Sequence, residues 1–399
     1  MKFAHLADCH VGAWREPRMS ALADQALSEA FRRAREENVD FVLIAGDLFN
    51  TALPGIDHIK HVTKEFHKMK ESGIPIYIIA GSHDYSPTGK TMLDVLEEAG
   101  LCKNVFKIKD NQLQLTTDPG TGVKIAGIVG RAGQLDKELY ETLELKQLEK
   151  EQGKKIFMFH TTIEELKPKD MAMVEGQEVS FMPRGFDYYA GGHVHIVDSV
   201  TLPGYADVVY PGPLFPAEFS ELEKLGGGGF YIVEDRGGKF VKRRVDVIIK
   251  KTLPVKLDCN GMTPEEVKNR LEKLTMDCED RIVLIRLTGK LGGGSATDID
   301  FRGLFEDLEN RGAYHCMKNT SALVAEEIEE TSTEHTAEEA EAEAIKEHLG
   351  KVQVGMSEEE EEKLFHALLT ALSRPQAEGE LKTQYQERVL EEALELLER

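Results

Sequence analysis

Hydrophobic positions along the chain fall into two periods. Short apolar runs stop abruptly at Asp, Gly or His. Phe3-Ala4-His5-Leu6-Ala7 precedes Asp8-Cys9-His10, Ile44-Ala45 precedes Gly46-Asp47, and Ile74-Pro75-Ile76-Tyr77-Ile78-Ile79-Ala80 precedes Gly81-Ser82-His83-Asp84. Lys155-Ile156-Phe157-Met158-Phe159 precedes His160, and Tyr188-Tyr189-Ala190 precedes Gly192-His193-Val194-His195. Runs that do not alternate with polar residues are expected of strands buried on both faces, as in parallel sheets. Between them, residues 19–37 are helical by propensity, and residues 56–72 carry Ile56, Ile59, Val62, Phe66 and Met69 at helical spacing. The N-terminal third therefore reads β-α-β-α-β. Further strand-like runs at 105–108, 112–115, 123–129, 208–210, 229–234 and 239–247 predict a mixed sheet or two-sheet α/β (α+β) sandwich covered by helices.

Beyond residue 247 the pattern changes. Residues 253–257 and 281–287 read as strands, and 299–311 as a helix. Thr263 opens another helix, with Pro264 at its first position and Glu266 placed to close a capping box. This is a small α/β unit. Residues 325–355 are rich in Glu, Ala and Thr without an apolar face and read as an acidic linker. Periodicity returns in Leu364, Phe365, Leu368, Leu369 and Leu372, then in Leu381, Tyr385, Val389, Leu390, Leu394 and Leu397, which predicts a C-terminal helix pair. The expected divisions are 1–247, 248–322, 323–356 and 357–399. The glycine run at 226–229 lacks a following Lys-Ser/Thr and is expected to be a flexible turn.

With 399 residues, 41% of them hydrophobic, the chain can bury a sizeable core. No run of 18 apolar residues is present, so a soluble intracellular protein with no membrane partner is expected. The five cysteines are odd in number and lack a C-x-x-C pair, which argues against a disulfide framework or a structural zinc site, and Cys9 is expected to pack away from its neighbours Asp8 and His10. A net charge of -22 would ordinarily exclude a nucleic-acid partner. Its distribution changes that: residues 324–399 hold 22 acids and 7 bases, whereas 236–320 hold 17 bases and 13 acids. Any nucleic-acid contact should use the middle segment.

The strand ends carry the chemistry. Hard divalent ions take carboxylate and imidazole ligands, and two ions a few ångströms apart need a bridging ligand, for which Asp47 is the natural choice. Asp8 and His10 can turn toward one ion from an extended turn, and His193 and His195 repeat that spacing. One such pair carries little weight. Their ordered recurrence after strand-like runs predicts a two-metal site.

The pattern Asp8-x-His10, Gly46-Asp47, Gly81-Ser82-His83-Asp84, His160, Gly192-His193-x-His195 resembles the calcineurin-like metallophosphoesterase superfamily. Its order and the later segments are most similar to the DNA-repair branch, the Mre-eleven (SbcD) nucleases. The resemblance implies a nuclease domain, a DNA-binding cap over 248–322 and a 357–399 segment that binds a Rad-fifty (SbcC)-like coiled-coil ATPase. It implies two Mn²⁺ per subunit, although Mg, Fe or Zn would also suit parts of the donor set. One ion would take Asp8, His10, Asp47 and His195; the other Asp47, Ser82, His160 and His193. His83, oriented by Asp84, would stabilise developing charge or protonate the leaving oxygen, with a metal-ligand role as the alternative. Lys242, Arg243, Arg244, Lys250, Lys251, Arg286, Lys290 and Arg302 would face DNA phosphates, or else form a solvated surface.

Two residues depart from the family pattern. Ser82 stands where an Asn is usual, and Asn50 where nuclease relatives often carry His. The implied activity is DNA exo- and endonuclease cleavage, 3′-5′ in the exonuclease mode, at double-strand breaks in a cytoplasmic, nucleoid-associated protein. A homodimer through the outer faces of helices at 56–72 and 91–99 is also implied. The alternatives are a small-molecule phosphodiesterase or phosphatase of the same fold, or a weakly active scaffold.

Overall fold

The computed structural model describes residues 1–86, 90–130, 135–167, 176–324, 358–372, 374 and 382–397. The acidic linker lies outside the described residues apart from its first two positions. Contacts divide the chain into two units, 1–326 and 327–399.

The first sheet runs β14-β13-β1-β2-β3-β4. Its centre is β1 (Lys2–Leu6), β2 (Phe41–Ala45) and β3 (Ile76–Ile79), mutually parallel, with short β4 (Lys103–Asn104) at one edge. Helices α1 (Pro17–Glu36), α2 (Ile56–Glu71) and α3 (Met92–Glu98) make the crossovers. A hairpin, β5 (Ile108–Lys109) and β6 (Gln112–Leu113), leads to the second sheet. There β7 (Thr116–Thr117), β8 (Lys124–Ile128), β9 (Lys155–His160), β10 (Tyr188–Gly192), β11 (Val197–Thr201) and β12 (Asp207–Pro211) take the order β11-β12-β10-β9-β8-β7. Helices α4 (Leu135–Thr142), α5 (Lys146–Lys150) and α6 (Phe219–Leu225) follow the chain around it, and β13 (Gly228–Arg236) and β14 (Lys239–Val247) return to the first sheet.

Side-chain alternation explains how the sheets stack. On β9, Ile156 and Met158 enter the core shared with the first sheet, while Phe157 and Phe159 enter a separate cluster on the far face. Phe3 of β1 meets Tyr188 of β10 edge-on, with centroids 5.3 Å apart, across the gap between sheets. The two-sheet sandwich is thus the fold, and the central parallel strands of both sheets end at one rim.

The following unit has parallel strands β15 (Lys251–Asp258), β16 (Arg281–Lys290) and β17 (His315–Val324), with α7 (Pro264–Leu274) and α8 (Phe301–Asn310). Thr263 and Glu266 form the expected capping box of α7. Alternation again decides the packing: Ile282 and Leu284 of β16 join the main core, while Val283, Ile285 and Leu287 pack under α7 and α8.

Several expectations need correction. Gly226 is not part of a flexible turn; at φ +68° it ends α6 in the left-handed conformation that favours glycine, and Gly228 and Gly229 lie within β13. Strand β17 was not anticipated, because its exposed polar positions mask the pattern. On the two helices whose outer faces are expected to form a dimer contact, Val62, Phe66, Leu93 and Leu96 belong to the inner faces and are buried in the core, while Ile56 is 75% exposed. Cys9 is buried in the hydrophobic core, as expected. Among the described residues no helix is long and apolar enough to cross a membrane.

In the second unit, helices Glu358–Leu372 and Lys382–Leu397 pair, with Arg374 bound to Glu392 and Tyr385 donating to the Arg374 carbonyl. Phe365, Leu372, Leu390 and Leu394 remain exposed.

Candidate metal centre

Each strand end at the common rim delivers one piece of the site. The loop after β1 stays in register with the loop after β2: Asp8 N–H donates to the Gly46 carbonyl at 3.1 Å and His10 N–H to the Asp47 carbonyl at 3.0 Å. Parallel pairing thereby continues past the sheet and holds Asp8, His10 and Asp47 side by side. The second sheet brings His160 from the end of β9 and His193 and His195 from the loop after β10, and His193 N–H donates to Asp8 Oδ1 at 2.9 Å.

The backbone here is unusual. Asp8, His10, Asp47, His193 and His195 all have positive φ, between 43° and 100°. Non-glycine residues rarely occupy this region, and each such placement costs on the order of 1 to 3 kcal/mol, which persists only where the surroundings over-determine it. Five of the seven residues expected to hold metal share this strain. Gly46, at φ +90°, supports the arrangement by lacking a side chain: a Cβ there would stand 2.1 Å from His160 Nδ1.

Among the described residues, three groups have ligand-type atoms within 4.8 Å of one another: Asp8, His10 and His195; His10, Asp47 and His83; Asp47, His160 and His193. Asp47 and His10 link them. His160 Nδ1 donates to the Ala45 carbonyl at 2.8 Å, which leaves the lone pair of Nε2 facing Asp47 Oδ2 at 3.1 Å. His195 Nδ1 donates to Glu221 Oε1 at 2.5 Å, which turns its Nε2 toward His10 Nε2 at 2.9 Å and Asp8 Oδ1 at 3.8 Å. His10 Nδ1 and His160 Nε2 are buried without a hydrogen-bond partner. Acceptors converging on acceptors, with orphaned nitrogens among carboxylates, fit divalent cations bound through mixed oxygen and nitrogen donors.

Electrostatics point the same way. Burial drives His10 down to about 3, only partly offset by Asp47. Against burial, Asp47 and then Asp8 raise His160 to about 10, and Asp8 with Glu221 raises His195 to about 9. The carboxylates favour positive charge at these two imidazoles, where a metal ion would supply it.

Ser82 is half-buried in the turn between Gly81 and His83. His83 is exposed; its backbone N–H donates to Asp47 Oδ1 at 2.8 Å, and its Nδ1 donates to the Asn50 carbonyl at 2.8 Å. Asp84 does not orient it. The Asp84 carboxylate turns inward and accepts the backbone N–H groups of Gly81, Leu48 and Phe49 at 3.1, 3.1 and 2.9 Å. It ties the Asp47 loop to the His83 turn, while Asn50 orients His83 through a main-chain carbonyl that no motif could disclose.

Sequence reasoning also missed Glu221. Its Oε2 accepts Ala217 N–H at 2.9 Å while Oε1 holds His195. His5 is a further support: fully buried, its Nε2 donates to the Gly191 carbonyl at 3.2 Å and its Nδ1 accepts from the Tyr188 hydroxyl at 3.0 Å, bracing the strand that carries His193.

The residues assigned to phosphate contacts are mostly engaged elsewhere. Lys242 pairs with Asp207, Arg243 with Glu37, Arg244 with Asp246, Lys250 with Asp280, Arg286 with Glu223 and Arg302 with Glu306. Lys251 and Lys290 are exposed at the two ends of the three-stranded sheet, at the start of β15 and the end of β16.

Comparison with known proteins agrees with this geometry. Residues 1–197 match the calcineurin-like phosphoesterase family. The chain is 26% identical over 365 residues to the DNA double-strand break repair protein Mre11 of Archaeoglobus fulgidus, covering 85% of this chain and 78% of that protein. It is 28% identical to the Methanopyrus kandleri protein of the same name, over 68% of this chain and 63% of that one. Against its Sulfolobus acidocaldarius counterpart it is 32% identical, over 49% of this chain and half of that protein. The sandwich whose rim gathers these side chains around Asp47 is that of a metal-dependent phosphodiester hydrolase, and over residues 1–197 the chain matches the calcineurin-like phosphoesterase family, with Mre11 proteins among its relatives.

Proposed function

We propose that the chain is a two-metal nuclease that processes DNA ends in double-strand break repair. The observation that supports this most is the concentration of positive-φ backbone at Asp8, His10, Asp47, His193 and His195, where the side chains converge. Asp8, His10, Asp47 and His195 would hold one ion, and Asp47, Ser82, His160 and His193 the other, with Mn²⁺ suited to this donor set. When bound, such ions supply Lewis acidity toward a phosphate and a nucleophilic hydroxide at neutral pH. The protein's own part is positional. Asp47 is steered by the His83 N–H, and His83, with Nδ1 committed to Asn50, presents Nε2 to hold or deliver a proton at the leaving oxygen.

DNA is the substrate suggested by the name of the Mre11 relatives, and the small α/β unit at 248–322 is read as a cap over it. The helix pair, with Phe365, Leu372, Leu390 and Leu394 exposed, is read as the docking segment for a coiled-coil ATPase. Homodimerisation would use the outer surface of α2 and α3, where Ile56 and Val95 are exposed. A second reading, hydrolysis of small phosphodiesters, is favoured by the ion pairs that occupy most of the basic residues nominated for DNA.

One assay separates these readings: labelled single- and double-stranded DNA beside a chromogenic phosphodiester, with MnCl₂, for the wild type and His83→Ala. DNA cleavage that falls about 10²- to 10⁴-fold in the variant, at unchanged manganese content, supports the nuclease and the proton role of His83. Manganese lost together with activity makes His83 a ligand. Cleavage of the chromogenic substrate alone supports the second reading.

A further inference from the structure

Helix α6 touches the metal centre with one side and the cap with the other. It has seven residues, too few to be stable alone, so its position is set by what holds it. Glu221 faces the centre and fixes His195, as described above. Two residues on, which on a helix turns to the opposite side, Glu223 faces the cap and is nearly buried, with its side chain 8% exposed. Arg286 of β16 grips this turn at three points. Its Nε reaches both Glu223 oxygens at 2.9 and 3.1 Å, its Nη2 donates to Ser220 Oγ at 3.3 Å, and its guanidinium lies over the Phe219 ring, 5.2 Å from the centroid. Lys256 of β15 stands 3.9 Å from the same Glu223.

We infer that Arg286 is a positioning residue for the metal centre: through α6 it sets the Glu221 carboxylate, and through Glu221 the orientation of His195. The inference rests on the two-metal reading and assigns Arg286 a task other than phosphate contact. A carboxylate behind a metal-binding imidazole fixes its tautomer and ring angle, and losing such support weakens metal binding about 10- to 100-fold. Glu221 can give that support only while α6 keeps its register against the rim. Leu222 anchors the helix from below, Gly226 ends it, and Arg286 of the cap clamps the turn that carries Glu221 from outside. Cap position and affinity for the ion at His195 are therefore coupled through one short helix.

The test is Mn²⁺ titration of the full chain by calorimetry, for wild type, Arg286→Gln, Arg286→Lys, Glu221→Gln and the Arg286→Gln/Glu221→Gln double variant. Arg311→Gln serves as control, since Arg311 pairs with Asp307 and Thr275 inside the cap and away from α6. Expected are two sites in the wild type, one of them weakened about 10- to 100-fold by Glu221→Gln. Arg286→Gln should weaken the same site, Arg286→Lys should do so by less, and the double variant should be no weaker than Glu221→Gln alone. Arg311→Gln should lower the thermal midpoint with both affinities intact. Additive losses in the double variant, or unchanged affinity in Arg286→Gln and Arg286→Lys, would overturn the positioning role. Absence of Mn²⁺ binding in the wild type would instead overturn the two-metal reading.

Discussion

Asp84→Asn is the most informative single change, because it distinguishes a carboxylate that holds the site together from one that tunes His83. Asp84 is 2% exposed, and both of its oxygens are engaged: Oδ2 by Leu48 and Gly81 N–H, Oδ1 by Phe49 N–H. Burial and then the charge of Asp47 push its pKa up, while the three N–H donors favour the ionised form. An asparagine can present only one oxygen. Its better orientation keeps Leu48 and Gly81 and sets an amide N–H against the Phe49 N–H, donor against donor. A buried donor left unsatisfied costs about 1 to 3 kcal/mol, and the two surviving bonds lose charge assistance worth roughly 0.5 to 1 kcal/mol each. Relief of repulsion with Asp47 offsets part of this, leaving a net loss of about 2 to 4 kcal/mol. At about 2 to 4 °C per kcal/mol, the thermal midpoint should drop by several degrees, and Mn²⁺ affinity should fall with it because the Asp47 loop loses its tie. Differential scanning fluorimetry and Mn²⁺ titration read the two effects. An unchanged midpoint with lower turnover alone would show that Asp84 acts on His83, and the geometric account would be wrong.

Further outcomes follow from the same contacts. Gly81→Ala places a Cβ 2.2 Å from Asp47 Oδ1 and 2.4 Å from its backbone nitrogen, so the Asp47 carboxylate must shift; metal affinity should fall along with about 1 to 3 kcal/mol of stability, and wild-type Mn²⁺ binding in the variant would refute this. His5 is held near 3 by burial, below its ordinary 6.5, so the unfolded chain binds the extra proton and stability falls as pH drops from about 6.5 toward 3. That contribution is at most about 1.4 kcal/mol per pH unit, and His5→Gln, whatever its starting stability, should show a shallower acid slope in thermal melts. Chelation with EDTA should lower the melting midpoint and added MnCl₂ restore it, since a ligand at a hundredfold its Kd stabilises by about 2.7 kcal/mol; midpoints unaffected by chelator would contradict a bound metal pair.

The sequence made much of this legible because parallel strands buried on both faces leave a simple mark, an uninterrupted apolar run, and because each run stops at a residue with ligand chemistry. The order β1 to β3 and the carboxylate and imidazole side chains gathered at their ends could be read directly. What stayed hidden depends on main-chain groups or on distant partners. The Ala45, Asn50 and Gly191 carbonyls that orient His160, His83 and His5 have no residue-type signature. Asp84 was misassigned because adjacency in sequence suggested contact with His83, whereas the turn points the two side chains apart. Glu221 lies 26 positions from His195 and belongs to no spacing pattern. The basic residues looked available for phosphate because their acids are remote, as with Arg243 and Glu37, 206 positions apart.

The return of the chain to its first sheet sets the order in which the molecule can be made. Strand β1 lies in the middle of that sheet, and one of its two neighbours is β13, paired Phe3 to Val233. During synthesis the strand that carries Asp8 and His10 is among the first to emerge, yet its open edge is covered only after residue 236, when the whole second sheet already exists. At roughly 5 to 20 residues per second that edge waits about ten to fifty seconds, a period in which unpaired strands are prone to wrong partners. The strand that delivers Asp8 and His10 consequently has one edge uncovered until the hairpin returns to the first sheet. A substitution that only slows the β13-β14 hairpin would lower the yield of folded protein without altering a single residue of the site.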